Sequence, residues 1–398
     1  MKILAIETSC DETALAIIEA NKTGPKTQFK ICANDLSSQI ELHRQFGGVF
    51  PAMAKREHAK NILPILLKVL KEAKLHKQLK TKKTNLTLQK KIAKILEREF
   101  ELFELWNETM WSIQKPKIDA VAVTVGPGLE PALWVGINFA RALAELWDIP
   151  LIPVNHMEGH IFSIFPRDKK TFTVQNTKSL FPMLSLLVSG GHTEIVLVKD
   201  WMKYKLIGQT LDDAAGEAFD KVARMLDLPY PGGPEISKLA KELRERGNSI
   251  PSGILFPRPM LNSKDYNFSY SGLKTSVLYT VRDLGKLDQE KKEIIAKEFE
   301  DAAIEVLVTK TLRAVKEFKI KTLIVGGGVS GNTHLQKTLS EKLQKESPKT
   351  ALHFPVRSLS TDNALMIAIA GYFQYQKRKP TKNSRRPLLK ADGNLVLS

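Results

Sequence analysis

Cysteine is nearly missing from this chain of 398 residues: Cys10 and Cys32 are the only two. Two thiols cannot build a disulfide scaffold, so both read as packed side chains, and a reducing cytoplasm is the expected compartment. Long apolar runs are also lacking. None reaches the roughly 18–20 residues a spanning helix needs, so no membrane partner is expected. The strand-like Lys2-Ile3-Leu4-Ala5-Ile6 follows Met1 directly and leaves no room for a leader. Acidic residues are in deficit, with 43 Asp and Glu against 60 Lys and Arg, a net charge of +17. An excess of this size points to a polyanionic partner, nucleic acid first. The length is enough for two domains with full cores.

What is present centres on Val154-Asn155-His156-Met157-Glu158-Gly159-His160. Two imidazoles four residues apart share one helix face and can reach one metal ion, although a plain polar face has the same spacing. The spacing is superficially that of the H-E-x-x-H metalloproteases. Glu158, two positions from each histidine, points to the opposite side, which disfavours a protease.

Residues 2–19 read as a β-hairpin whose turn, Glu7-Thr8-Ser9-Cys10-Asp11-Glu12-Thr13, has the composition of a loop that holds phosphate directly or through a cation. Residues 183–198 repeat the design around Ser189-Gly190-Gly191-His192-Thr193, which suggests an internal duplication. A strand, glycine loop and helix follow at Ile118 to Leu146 and again at Lys321 to Leu343, the second loop being Gly326 to Asn332. Glycines there let a backbone approach a ligand and aim a helix N-terminus at it.

Between the hairpins, His58 to Ala73 is expected to be helical. Residues 74–117 open with lysines and continue as one amphipathic helix through Leu88, Ile92, Ile95, Leu96, Phe103 and Trp106, with an acidic later half. Packing is its first reading and RNA contact through the lysines the second. Further on, Asp212 to Leu226 reads as a helix with Asp220 outward, and Pro231-Gly232-Gly233-Pro234 as a tight loop able to meet a ribose. Phe256-Pro257-Arg258-Pro259 and Phe268 to Thr275 read as basic loops with exposed aromatics, fit for nucleic acid or for interdomain packing. Asp362 reads as an N-cap of the helix Ala364 to Tyr375, and Lys377 to Arg386 as a basic tail, mobile or RNA-facing.

Two hairpin-bearing halves that continue into βα units describe an α/β protein of the actin-like ATPase and sugar-kinase fold, with two duplicated ribonuclease H-like domains. The expected boundaries are 1–175 with an insertion at about 76–117, then 176–362, then a helix and tail, 363–398, returning to the first domain. The motifs Glu7 to Thr13, His156-x-x-x-His160, Ser189 to Thr193, Asp212 to Asp220, Pro231 to Pro234, Phe268 to Thr275 and Ser360-Thr361-Asp362-Asn363, in this order, closely resemble the TsaD family of tRNA threonylcarbamoyladenosine transferases, long called glycoprotein endopeptidases.

The resemblance implies that His156, His160 and Asp362 bind a divalent metal, iron first and zinc as the alternative. It implies that Leu187, Val188, Ser189, Gly190, Gly191, Asp220, Gly233 and Asn332 hold threonylcarbamoyl-AMP, and that Asp11 and Glu12 lie near the reacting centre. The implied reaction moves the threonylcarbamoyl group to the exocyclic amine of the adenosine just 3′ of the tRNA anticodon. The implied partners are tRNA, a non-catalytic TsaB-like paralogue and a small TsaE-like ATPase. Two rivals remain: an ATPase or sugar kinase of the same fold, which needs no paired histidines, and a non-catalytic RNA-binding subunit, which would be expected to lose the metal residues.

Overall fold

The computed structural model describes residues 1–80, 85–167, 170–175, 178–247, 253–377 and 388–397. The chain divides into two units: Met1–Glu41, Val49–Asn176 and Asp362–Leu397 form the first, Leu42–Gly48 and Thr177–Thr361 the second.

In the first unit β1 (Lys2–Glu7), β2 (Glu12–Thr23) and β3 (Lys26–Ser38) make an antiparallel meander. Then come α1 (Ile40–Arg44), whose residues from Leu42 on belong to the second unit, α2 (Pro51–Glu72), α3 (Leu86–Ile95), α4 (Phe100–Thr109), β4 (Ala120–Gly126), α5 (Glu130–Trp147), β5 (Leu151–Asn155), α6 (His156–Phe162) and β6 (Thr171–Gln175). The sheet runs β5-β4-β1-β2-β3-β6, with β1, β4 and β5 parallel. Ile3 to Ile6 and Ala120 to Val123 are apolar at every position because both sheet faces are covered.

The second unit holds β7 (Met183–Val188), β8 (Thr193–Asp200), β9 (Lys203–Gln209), α7 (Ala215–Met225), α8 (Gly232–Glu245), α9 (Ser271–Leu284), α10 (Gln289–Glu317), β10 (Thr322–Gly326), α11 (Thr333–Glu346) and β11 (Ala351–His353). Its sheet, β11-β10-β7-β8-β9, repeats the order and directions of β5-β4-β1-β2-β3. This is the duplication that the two hairpins announced. Finally α12 (Ala364–Lys377) returns to the first unit and packs on β1, β2 and α6. Among the described residues no helix is long and apolar enough to cross a membrane.

Several local expectations need correction. The insertion is not one helix: it breaks between Ile95 and Phe100, where Leu96 turns inward and Glu99 is buried against Lys55 at 3.0 Å. Its apolar anchors Ile92, Leu96 and Trp106 are fully buried, so packing organises it. Asp212 and Asp213 precede α7 rather than starting it. Asp212 accepts hydrogen bonds from the Ser269 and Ser271 hydroxyls, both at 2.6 Å, and from the Tyr270 amide at 2.8 Å, tying down the start of α9. The stretch Pro231 to Pro234 is no loop, because Gly232 already begins α8; proline is tolerated in a first turn, whose amides lack helical acceptors. Phe256, Phe268 and Tyr270 are buried in the core of their own unit, which removes the aromatic platform expected for nucleic acid. The side chain that caps α12 belongs to Asn363, whose Oδ1 accepts from the Met366 amide at 3.1 Å. Residues 378–386 of the expected basic tail lie outside the described residues.

Candidate metal and substrate sites

Strand β5 delivers the chain to α6, and Asn155 caps that helix by accepting from the amides of Met157 at 2.8 Å and Glu158 at 3.4 Å. His156 and His160 therefore project one turn apart on one face, with ring centroids 4.7 Å apart. Gly159 between them lets α12 close in: a Cβ there would lie 2.9 Å from Ile367 Cδ1 and 3.0 Å from Met366 Cγ. The residue just ahead of α12, Asp362, then reaches both rings. Its Oδ1 is 3.2 Å from His156 Nε2 and 3.3 Å from His160 Nε2. One ligand atom from each of the three residues falls within 4.8 Å of the others. Glu158 turns away, accepting from Gln374 Nε2 at 2.9 Å.

Electrostatics divide the pair. Burial opposes charge on His156, yet the carboxylates of Asp362 and Glu7 overcome it and raise that imidazole well above its ordinary range. His160 is lowered by burial. Burial also opposes charge on Asp362, but the two histidines hold its carboxyl well below the usual carboxylate range.

The turn between β1 and β2 brings Cys10, Asp11 and Glu12 into the same unit. Asp11 and Glu12 are both buried, and burial, then the charges of Asp11 and Asp362, raises Glu12 well above its ordinary value. Cys10 is raised by burial and by the same carboxylates, as suits an unreactive thiol. His58, read earlier only as the start of a helix, clamps this turn: its Nδ1 lies 2.7 Å from Thr13 Oγ1 and its Nε2 2.9 Å from the Cys10 carbonyl.

In the second unit the expected substrate residues collect at the end of the sheet. Leu187 and Val188 finish β7, and Gly190 and Gly191 are open, with no atom within 4 Å of an added Cβ. Ser189 Oγ accepts from the His192 amide at 3.1 Å. Asp220 on α7 accepts from the Gly232 amide at 2.7 Å, which places Gly233 beside it on α8. Asn332 meets α8 as well, but its side chain is fully engaged. Oδ1 caps α11 through the Leu335 amide at 2.8 Å, while Nδ2 donates to Ser237 Oγ at 2.9 Å and Glu300 Oε1 at 2.7 Å.

A family model described as TsaD, tRNA N6-adenosine threonylcarbamoyltransferase, matches residues 30–81 and 103–369. The chain is 42% identical over 377 residues to the tRNA N6-adenosine threonylcarbamoyltransferase of Thermosipho africanus, covering 95% of each chain. It is 40% identical to the protein of the same name from Persephonella marina, covering 96% of this chain and 92% of that one. The chain belongs to the TsaD family. A solved structure of full-length HypF shares the fold, with a TM-score of 0.51, 12% identity, and coverage of 96% of this chain and 56% of that one.

For a TsaD-family chain the resemblance implies a divalent metal, and the donors in the first unit fit one. Two imidazoles and a carboxylate are borderline ligands suited to iron or zinc. His160 is fully buried: its Nδ1 has no hydrogen-bond partner among the described residues, and its Nε2 faces Asp362 Oδ1 at 3.3 Å, a placement in which nitrogen lone pair and carboxylate would share one cation. Sequence reasoning missed Glu7 as part of this cluster. It was read as the opening of a polar turn, whereas it ends β1 fully buried. The one available signal was its position, directly continuing a run of inward apolar residues.

Proposed function

We propose that this chain transfers the threonylcarbamoyl group from threonylcarbamoyl-AMP to the exocyclic amine of the adenosine 3′-adjacent to the anticodon, in tRNAs that read codons beginning with A. Similarity to threonylcarbamoyltransferases over 95% of both chains carries this reading. The amine nitrogen attacks the carbamoyl carbonyl carbon. The bond from that carbon to the phosphate oxygen breaks, AMP departs with the electron pair, and the amine gives up a proton. Such an amine is a weak nucleophile, so positioning and stabilisation of developing charge must supply most of the rate.

His156, His160 and Asp362 would hold a divalent ion, iron first and zinc second; their convergence within 4.8 Å supports this part of the reading. Bound there, the ion would supply Lewis acidity toward substrate oxygens. Asp11 takes the amine proton, with Glu12 beside it. The open Ser189-Gly190-Gly191 turn, with Leu187, Val188, Gly233 and Asn332, holds the adenylate, and Asp220 meets the ribose. We expect a non-catalytic paralogue and a small ATPase as protein partners, and the cytoplasm as compartment.

The test is to incubate the chain with unmodified tRNA and threonylcarbamoyl-AMP, with and without those partners, and to analyse the nucleosides by mass. Threonylcarbamoyladenosine should appear. ATP hydrolysis or sugar phosphorylation with no modified nucleoside in any combination would favour the kinase-like alternative.

A further inference from the structure

We propose that Glu7 is the positioning residue of the metal centre: its buried carboxylate holds His156 Nδ1 and so aims Nε2 at the point shared with His160 and Asp362. This inference rests on the metal-binding reading given above.

Glu7 closes β1 and is wholly removed from solvent. A carboxylate in such a place is costly unless it is hydrogen-bonded. Here both oxygens are. Glu7 Oε1 accepts from the Ser9 amide at 2.5 Å; Oε2 accepts from the Thr124 hydroxyl at 2.5 Å and lies 3.1 Å from His156 Nδ1. The Ser9 hydroxyl also approaches that nitrogen, at 3.2 Å. A backbone amide and a hydroxyl from two neighbouring strand ends thus fix the carboxylate, and the carboxylate fixes the ring.

The chemical consequence is a choice of tautomer. An imidazole nitrogen that faces a carboxylate must carry the proton, since two lone pairs would otherwise oppose each other. With the proton on Nδ1, the lone pair falls on Nε2, the nitrogen nearest Asp362. A carboxylate behind the ring also makes Nε2 a stronger ligand. Among the described residues His160 has nothing comparable, and its Nδ1 is buried with no hydrogen-bond partner there. One ligand is therefore aimed by a carboxylate and the other by packing alone. With an ion bound both imidazoles would be neutral, and Glu7 together with Asp362 would supply two negative charges, the complement of a divalent cation.

The experiment uses the full chain, stripped of metal and titrated with cobalt(II) or zinc(II) against a competing chelator. The parent should bind one ion. The isosteric variant Glu7→Gln, shown to be folded by circular dichroism, should bind about 10- to 100-fold more weakly and give a shifted cobalt(II) absorption band. A buried group with a purely structural role would lower the thermal midpoint of the apo form and leave both readouts of the folded fraction unchanged. That result would overturn the inference. Should Glu7→Gln fail to fold, the parent decides: nitrogen-15 spectra of the zinc-loaded chain must show the His156 proton on Nδ1, and a proton on Nε2 rejects the proposal. A parent that binds neither ion defeats the metal reading itself, an outcome distinct from both.

Discussion

Glu194 follows Thr193 at the start of β8, buried, with Oε2 lacking a hydrogen-bond partner among the described residues. Burial pushes its carboxyl from 4.5 up to about 7. The native chain therefore keeps a proton there that the unfolded chain has already lost. Stability falls as pH rises between these two values, and above pH 7 the full penalty is present. At 1.36 kcal/mol per pKa unit the penalty is at most about 3 kcal/mol. Glu194→Gln removes the ionisation and keeps the shape. The variant should match its parent in urea melts at pH 4 and exceed it by about 1–3 kcal/mol at pH 8; equal midpoints at pH 8 would mean that water reaches the carboxylate. Asp362 and its neighbour Asn363 offer a sharper contrast. Asp362→Ala should lose the metal, and with it more activity than the 10–100-fold typical of an outer-shell partner. Asn363→Ala should retain the metal and lose about 1 kcal/mol, because it gives up the cap of α12. Metal content and thermal midpoint, measured on both, separate the roles.

At the scale of elements the convergence of His156, His160 and Asp362 depends on how closely α12 crosses α6, and Gly159 sets that approach. Its nearest neighbours are ends of flexible side chains, so Gly159→Ala should cost about 1 kcal/mol and keep the metal. Gly159→Leu should cost 1–3 kcal/mol or more and reduce bound metal, since Asp362 moves with its helix; full occupancy in a folded leucine variant would show that the crossing has slack. This crossing also explains what the sequence could and could not reveal. Buried parallel strands leave unbroken apolar runs, and glycine loops follow them, so the two sheets and both loop sets were legible. His156 and His160 were legible as a pair through helical spacing alone. Asp362 was not, because its approach is set by tertiary packing between segments far apart in the chain, and only the family resemblance supplied it. Glu7 looked like a turn residue because a polar side chain ending a strand has the same appearance whether it faces water or an imidazole. Phe268 and Tyr270 misled in the opposite sense: they read as exposed aromatics on a basic loop, but they are buried, and the serines beside them serve Asp212 at the start of α9. The C-terminal segment gave no signal. Its Asp392 amide donates to the Val125 carbonyl at 2.9 Å, and its Leu395 carbonyl lies 3.4 Å from Asn155 Nδ2, behind the cap of α6.

Across the whole molecule one strand order occurs twice, and the turn between the first two strands differs between the copies: acidic at Asp11 leading into Glu12, glycine-rich at Ser189 to Gly191. The charge is less evenly used. Many carboxylates of the second unit are spent internally, with Glu298 and Glu305 on Arg258, and Glu300 and Asp301 on Arg244. Much of the excess of +17 therefore remains for a polyanion. The insertion shows how. Helix α3 buries Ile92 and leaves Lys90, Lys91 and Lys94 exposed, in the stretch that the family model passes over. Lys91 pairs with Glu145 at 2.9 Å, whereas Lys90 and Lys94 make no ion pair among the described residues. If they meet tRNA phosphates, each contact adds about one unit to the slope of log affinity against log salt. The double variant Lys90→Glu, Lys94→Glu should weaken binding of every tRNA alike, flatten that slope by about two, and leave metal content untouched. Binding measured between 50 and 200 mM salt, on modified and unmodified tRNA, decides the matter. An unchanged slope would leave α3 as a packing helix with a solvated face, and would send the search for the phosphate-binding surface elsewhere on the chain.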